Sequence, residues 1–184
     1  TCFLVGCISV FFILVNVIND PEGMRFSEDG LTTLSNSRIY DRDGNLMYEF
    51  GDEIREDVTY EQIPQNVIDA FLSIEDSRFF DHNGFDLPRF ISAALTNLRT
   101  GDFSQGGSTL TMQMIDNAFT KNQEDKLLNT KGSISKLDQV KLKIQEIYLS
   151  LIAEQSIGKE EIFEYYVNRI WFGSGNNTRG IQKA

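Results

Sequence analysis

The chain has 184 residues, 41% of them hydrophobic, which allows one ordinary domain with a buried core and a short appendage. Its formal charge of -10 excludes a general nucleic-acid binder, because phosphate backbones demand a basic footprint, and any anionic ligand has to meet a local cluster of Lys and Arg. The two cysteines, Cys2 and Cys7, sit at the extreme N-terminus, so the remainder has neither a disulfide framework nor a thiolate metal site.

Residues 1 to 18, TCFLVGCISVFFILVNVI, are almost uninterruptedly apolar. As a helix they would measure roughly 27 Å, the short end of what spans a bilayer, and the reading is a membrane anchor over Phe3 to Ile18. A cleaved signal and a lipoprotein signal are the alternatives, since LVGC at 4 to 7 resembles a lipidation box. Cleavage or lipidation should end the apolar region, whereas this run continues for eleven residues beyond Cys7. The acidic NDPE after it weakly favours the outer membrane face for the residues beyond the anchor. With no initiator Met and no helix stop at IQKA, the sequence is expected to be cut at both ends.

Residues 19 to 36 are polar without a clear period and read as a stalk. In SRIYDRDGNLMYEF, β-formers flank Asp43-Gly44-Asn45, which predicts a hairpin. Pro64 suits a first helical turn, and Val67, Phe71, Ile74 and Arg78 follow the spacing of one helix face, so a helix is expected to about Phe80. A second helix runs from Leu87 to Arg99 and stops near Gly101. A third opens after Gly106-Gly107, residues 121 to 136 read as an exposed insertion, a long fourth covers Leu137 to Gln155, and a fifth covers Lys159 to Ile170. The glycine-rich FGSGNNTRG closes the pattern, and no internal repeat is present.

Glu75 stands out in the first helix. At 100° per residue with Phe71 at zero, it falls at about 40°, between Phe71 and Phe79 at about 80°, while Asp69, Ser73, Asp76 and Ser77 occupy the polar arc. Burial raises a carboxylate's pKa toward neutral pH, where it can exchange protons. The structural alternative is an ion pair with Arg78, three residues on. The fourth helix repeats the pattern: Leu137, Val140, Ile144, Ile147, Tyr148 and Leu151 form one stripe, Leu142, Leu149 and Ala153 a second, and Glu146 lies within the second. It is either a functional acid or half of a structural salt bridge.

Between the two acids lies SQGGSTLTMQMIDNAF. Its glycines permit a tight turn, and Ser108 or Thr109 can cap the following helix, whose free N–H groups form a natural anion site. Thr109, Gln113 and Asn117 recur every four residues, a polar stripe that suits a cleft wall. His82 is the one histidine, which excludes a multi-histidine metal site, and a structural role is expected for it.

Together these segments resemble the glycosyltransferase family 51 domain, the peptidoglycan glycosyltransferase of class A penicillin-binding proteins and their monofunctional relatives. EDSRFFDHNG at 75 to 84 is similar to that family's E-D-x-x-F-x-x-H-x-G, GGSTLTMQ at 106 to 113 to its G-G-S-T-x-T-x-Q, and KEEIFEYYVNRIWFG at 159 to 173 to its K-x-E-I-L-E-x-Y-L-N-x-x-x-F-G. The resemblance covers roughly residues 37 to 184, a domain whose C-terminal part is expected to be missing. It implies a mainly α-helical, lysozyme-like fold with a small N-terminal β-hairpin, after one transmembrane helix.

The implied activity is polymerisation of lipid II into glycan strands on the outer face of the bacterial cytoplasmic membrane, by inverting transfer with release of undecaprenyl pyrophosphate. Glu75 is then the general base. Glu146 and Lys143, in LKIQE at 142 to 146, help to bind and stabilise the donor pyrophosphate, and Asp76, Ser108, Thr109, Thr111 and Gln113 complete the substrate site. No cofactor is essential, and a divalent cation is left open. Implied partners are lipid II, the growing strand, the membrane and cell-wall synthesis or division proteins.

The chain departs from the family at three charged positions: Leu142 replaces its arginine, Gln145 its second lysine, and Asp116 a lysine. Lys131, Lys136, Lys141 and Arg179 are the candidates to compensate. These losses motivate a second reading, a weak or inactive member that binds lipid II or division partners. The paired carboxylates motivate a third, a lysozyme-like hydrolase.

Overall fold

The computed structural model of the chain describes residue 15 and residues 26–31, 37–50, 57–101, 106–170 and 180–181. The expected anchor (bar residue 15), most of the expected stalk and the glycine-rich loop with Arg179 lie outside the described residues. Among the described residues, no helix is long and apolar enough to cross a membrane.

The fold is mainly helical with one two-stranded antiparallel sheet. Strands β1 (Ser37–Tyr40) and β2 (Leu46–Phe50) form the predicted hairpin. Asp41 fixes the turn by accepting from the Asp43 and Asn45 N–H groups and from the Asn45 amide, and Gly44 takes the left-handed φ of 85°. Ile39, Tyr40, Leu46, Met47 and Tyr48 are all exposed, so the hairpin buries no apolar face against the described residues.

Among the described residues, six α-helices come after the hairpin: α1 (Gln65–Glu75), α2 (Leu87–Thr100), α3 (Leu110–Ile115), α4 (Lys121–Lys131), α5 (Lys136–Ser156) and α6 (Lys159–Arg169). The short α3 is the hub, packing on both α5 and α6. Leu110, Thr111, Met112, Met114 and Ile115 are all fully buried, so α3 is enclosed nearly all round. Around it close Ile68 of α1, Phe79, Leu149 and Ala153 of α5, and Ile162, Phe163 and Val167 of α6. Phe71 meets Phe163 and Tyr166 edge-on at 6.2 and 6.1 Å, an arrangement that aligns ring edges with ring faces.

Two boundaries and one helix face differ from expectation. Helix α1 ends at Glu75 rather than near Phe80, because the Asp76 backbone leaves the helical region (φ -159°) to carry its side chain into the core. The chain then runs through tight turns to Gly84, at φ 86°. The expected insertion is helical: α3 continues through a π-turn at Asp116–Thr120 into α4, whose KNQEDKLLNTK consists largely of good helix formers. On α5, the stripe with Leu149, Ala153 and Glu146 faces the core, whereas Leu137, Val140 and Leu151 of the other stripe are exposed.

Residues 26–31 of the expected stalk are packed onto the domain. Leu31 is buried, Phe26 lies 6.2 Å from Phe119, and Arg169 donates to the Gly30 and Leu31 carbonyls. Gly30 leaves room for Phe119, because a Cβ there would lie 2.4 Å from its ring.

Candidate active site

Glu75 is the last residue of α1, half-buried, with one carboxylate oxygen turned to α3. Oε2 accepts a 2.8 Å hydrogen bond from the Gln113 amide, whose oxygen in turn accepts from the Tyr166 hydroxyl at 3.4 Å. Burial, then the charge of Glu75, push the Tyr166 phenol up, so it remains a donor at any physiological pH. The expected structural partner of Glu75 is engaged elsewhere: Arg78 grips both oxygens of Asp86, the N-cap of α2. Glu75 is therefore oriented by an amide and has no cation within ion-pair distance among the described residues.

Asp76, placed on the polar arc by helical periodicity, is fully buried. Its Oδ2 accepts from the Leu110 N–H and from His82 Nε2, both at 2.9 Å, and Arg89 lies 3.6 Å from Oδ1. A carboxylate is acceptor-only, so Nε2 carries the histidine proton. Asp76 and His82 thus bind the motif at 75 to 84 to the start of α3, the structural part expected of the histidine.

Thr109 and Thr111 are likewise buried. The Thr109 hydroxyl donates to the Gly84 carbonyl at 2.7 Å and caps α3 by accepting the Met112 N–H. Thr111 donates to Glu154 at 2.5 Å. Of the stripe Thr109, Gln113, Asn117, the last two are half-buried and Asn117 donates to the Gln113 carbonyl. Gln113 is the member that meets Glu75.

The opposite end of the segment meets the second acid. Lys143 Nζ donates to Ser108 Oγ at 2.8 Å and to Glu146 at 2.6 Å. Burial, the largest influence, and the charge of Asp116 raise the Glu146 pKa from 4.5 to about 6 against the opposing pull of Lys143. Ser108, Lys143 and Glu146 are brought together, and Ser108 to Gln113 spans the gap to Glu75.

Two supporting groups carried no clear sequence signal. Glu154 joins Thr111 to Lys159, which donates to it at 2.8 Å and lies 4.4 Å from the Phe79 ring centroid. Tyr166 sits in an apolar helix pattern that announces packing, and its hydroxyl role depends on where α3 passes. Beside the Gly106-Gly107 turn, Phe90, Ala93, Ala94 and Leu98 line an apolar pocket of about 460 Å³. Leu87, Phe90, Ile91, Leu95 and Leu98 leave α2 with an exposed apolar surface. Among the described residues no cluster of His, Cys, Asp and Glu could hold a metal ion.

Comparison with known proteins gives one consistent result. The sequence pattern of the transglycosylase family matches residues 43–184. The chain is 35% identical over 189 residues to penicillin-binding protein 1A of Streptococcus oralis, covering 100% of this chain and 27% of that protein. It is 33% identical to penicillin-binding protein 1A/1B of Bacillus subtilis, covering 99% of this chain and 18% of the relative. Against penicillin-binding protein 1A of Pseudomonas aeruginosa the identity is 39%, over 80% of this chain and 16% of that one. The chain therefore spans about a quarter or less of the length of these relatives.

Proposed function

The chain belongs to the transglycosylase family, and from that membership together with the cleft geometry we propose that it is a peptidoglycan glycosyltransferase that polymerises lipid II. The observation that carries the reading is that two carboxylates, Glu75 and Glu146, are tied to opposite ends of one segment, Ser108 to Gln113. Such an arrangement holds one acid for the acceptor and one for the donor. Glu75, oriented by Gln113, takes the proton of the acceptor sugar's 4-hydroxyl as that oxygen attacks the donor's anomeric carbon. The bond from that carbon to the diphosphate breaks with inversion, and its electron pair leaves on undecaprenyl pyrophosphate. Lys143, held by Ser108 and Glu146, puts positive charge beside the departing group.

A lysozyme-like arrangement of the helices, a membrane anchor at residues 3 to 18 and a catalytic domain on the outer face of the cytoplasmic membrane belong to the same proposal. The exposed apolar surface of α2 and the adjoining pocket suit a lipid-linked substrate. Asp76, Thr109 and Thr111 serve by shaping the site from within, since all three are buried. No essential cofactor is invoked, and cell-wall synthesis or division proteins are the proposed partners.

The test is polymerisation of labelled lipid II by the membrane-inserted protein. Glu75→Gln, which keeps an oxygen to accept from Gln113, should lower the rate by about 10²–10⁴-fold with folding unchanged. Retained polymerisation in that variant would remove Glu75 as the base.

The charges near the donor favour a second reading, a weak or inactive member that binds lipid II without turnover. Asp116 adds negative charge near Glu146, and Leu142 and Gln145 bring no compensating cation. Stoichiometric binding of lipid II with no polymer from the wild type would select it.

A further inference from the structure

Arg89, in the first turn of α2, is a cation without an acceptor. Among the described residues its guanidinium makes no hydrogen bond, and the one carboxylate oxygen within ion-pair distance, Asp76 Oδ1, lies 3.6 Å away, beyond hydrogen-bond reach. That oxygen is itself buried and has no donor. The other acid nearby is fully engaged: Asp86 Oδ1 accepts from the Arg89 backbone N–H and from Arg78, and its Oδ2 accepts from Arg78 Nε at 2.9 Å. Arg78 and Asp86 therefore close on each other, while Asp76 holds the partly exposed Arg89 by charge alone and leaves its N–H donors free.

Two cavities meet at this side chain. One, of about 520 Å³, is bordered by Ser73, Ile74, Ser77, Arg78, Pro88 and Arg89, with Asp86 at its base. The second, of about 350 Å³, is bordered by Arg89, Ser92, Ala93 and Gly106, at the turn that leads to Ser108. The larger is within the range of small-ligand sites, roughly 300–1,000 Å³. It offers a guanidinium fork, the exposed Ser73 and Ser77 hydroxyls, and apolar surface from Ile74, which is 80% exposed. In a chain of formal charge -10, an unsatisfied guanidinium beside hydroxyls and an aliphatic side chain complements a carboxylate on a short aliphatic residue, since Arg binds carboxylates through two parallel hydrogen bonds.

We propose that the cavity between the ends of α1 and α2 binds a free carboxylate of the peptide stem carried by the substrate, with Arg89 as the fork that recognises it. The proposal rests on the glycosyltransferase reading and adds to it a second contact, remote from the sugar. Ile74 and Ser73 lie about 100° and 160° around α1 from Glu75, so the cavity and the reacting sugar are on different sides of that helix. The separation is short. A helix with its side chains is about 10–12 Å across, whereas an extended peptide of about five residues spans roughly 17 Å. Because α1 ends at Glu75, a stem leaving a sugar held there passes round the helix end to Arg89. Arg89 is then a specificity residue: it distinguishes a stem with free carboxylates from one whose carboxylates are amidated, because an amide brings no charge and one oxygen fewer to the fork.

The experiment crosses protein variants with two substrates. The membrane-inserted wild type, Arg89→Gln, and Arg99→Gln as an exposed control on α2 outside the cavity are given lipid II whose stem carboxylates are either free or converted to amides. Wild type and control should show a KM about tenfold or more lower for the free acid, and Arg89→Gln should discriminate by less than about twofold. Arg89→Lys keeps a cation beside Asp76 without the fork, so it tests the site even where Arg89→Gln fails to fold, and it should retain only part of the discrimination. Binding is read separately by calorimetry with a soluble muramyl peptide, as free acid and as amide. Equal KM values for the two substrates in the wild type would overturn the proposal. So would a loss in Arg89→Gln that is the same for both substrates, which would reduce Arg89 to a counter-ion of Asp76. An acidic peptide of L-residues that binds through Arg89 as tightly as the muramyl peptide would overturn it too, by making the cavity a contact for a partner protein. A wild type that binds the free-acid muramyl peptide through Arg89 but forms no polymer keeps the carboxylate site and removes the glycosyltransferase reading. Polymerisation that is blind to amidation does the reverse.

Discussion

Asp76 Oδ2 accepts the backbone N–H of Leu110 at 2.9 Å, so a carboxylate just past the end of α1 closes the first turn of the central helix α3 from 34 residues away. The same oxygen takes His82 Nε2, and Asp76 itself has no exposure to solvent. Removing the carboxylate leaves a buried donor at Leu110 and an unpaired His82 in one step. Asp76→Ala should therefore destabilise the fold by about 3–5 kcal/mol, seen as a lower midpoint in urea unfolding. Burial alone would raise the Asp76 carboxyl; the hydrogen bonds from His82 and Leu110, with the charges of His82 and Arg89, outweigh it and hold it below 3.8. Its contribution is thus present above the unfolded value and lost as pH falls through the folded one, and Asp76→Ala should flatten the acid limb of the unfolding curve.

Gly84 makes a second, geometric prediction. Its φ of 86° is unfavourable for an L side chain, and an added Cβ would sit 2.5 Å from the Ser150 carbonyl oxygen of α5 and 2.8 Å from its carbon. Backbone cannot swing aside as a side-chain tip can. Gly84→Ala should cost about 2–4 kcal/mol, combining left-handed strain with forced separation of the 75 to 84 segment from α5. Gly30→Ala meets the Phe119 ring, which can rotate, so it should cost less. Thermal unfolding of the two variants side by side gives the ranking.

Glu146 supplies a prediction of opposite pH sign. Its folded pKa of about 6 lies above the ordinary 4.5, so between those values the folded state binds more protons than the unfolded. Stability from this group is full below about 4.5 and falls as pH rises through about 6, by about 2 kcal/mol in all. Glu146→Gln should remove that dependence. The difference in unfolding free energy between variant and wild type should then shift toward the variant from pH 4 to pH 7. A difference independent of pH would mean that Glu146 is as well solvated as a surface acid.

Most of the helices were legible because apolar spacing reports a buried face directly, and Glu146 was found as a break in that spacing on α5. Periodicity also drew attention to Glu75, but it extended α1 one turn too far and put Asp76 on the outside. It assumes a continuing helix, and α1 ends where Asp76 gains hydrogen bonds from His82, six residues on, and from the Leu110 N–H, 34 residues on. The same limit explains Thr109, which polar spacing put on a cleft wall, and Thr111, which the family resemblance put in the substrate site: their hydroxyls are satisfied internally by Gly84 and Glu154. Residues 26–31 gave no period because a single buried Leu31 and the Arg169 bonds to two carbonyls hold them. Contacts across 138 residues leave no local pattern.

Gln113 connects the legible acid to the illegible support. Its amide donates to Glu75 while its oxygen accepts from Tyr166, so one side chain fixes the direction of the carboxylate and ties it to a core residue of α6. On the glycosyltransferase reading it is a positioning residue, and it should act on kcat more than on KM. Gln113→Ala should lower kcat by up to about 100-fold, the scale of a misplacement near 1 Å, with unfolding changed by about 1 kcal/mol or less. Gln113→Glu is the sharper variant. It is close to isosteric but presents a carboxylate, which cannot donate while ionised, to the carboxylate of Glu75, and like charges at hydrogen-bond distance repel. It should therefore be less active than Gln113→Ala despite keeping more of the side chain. Were shape the whole role of Gln113, the order of the two variants in the polymerisation assay would be reversed.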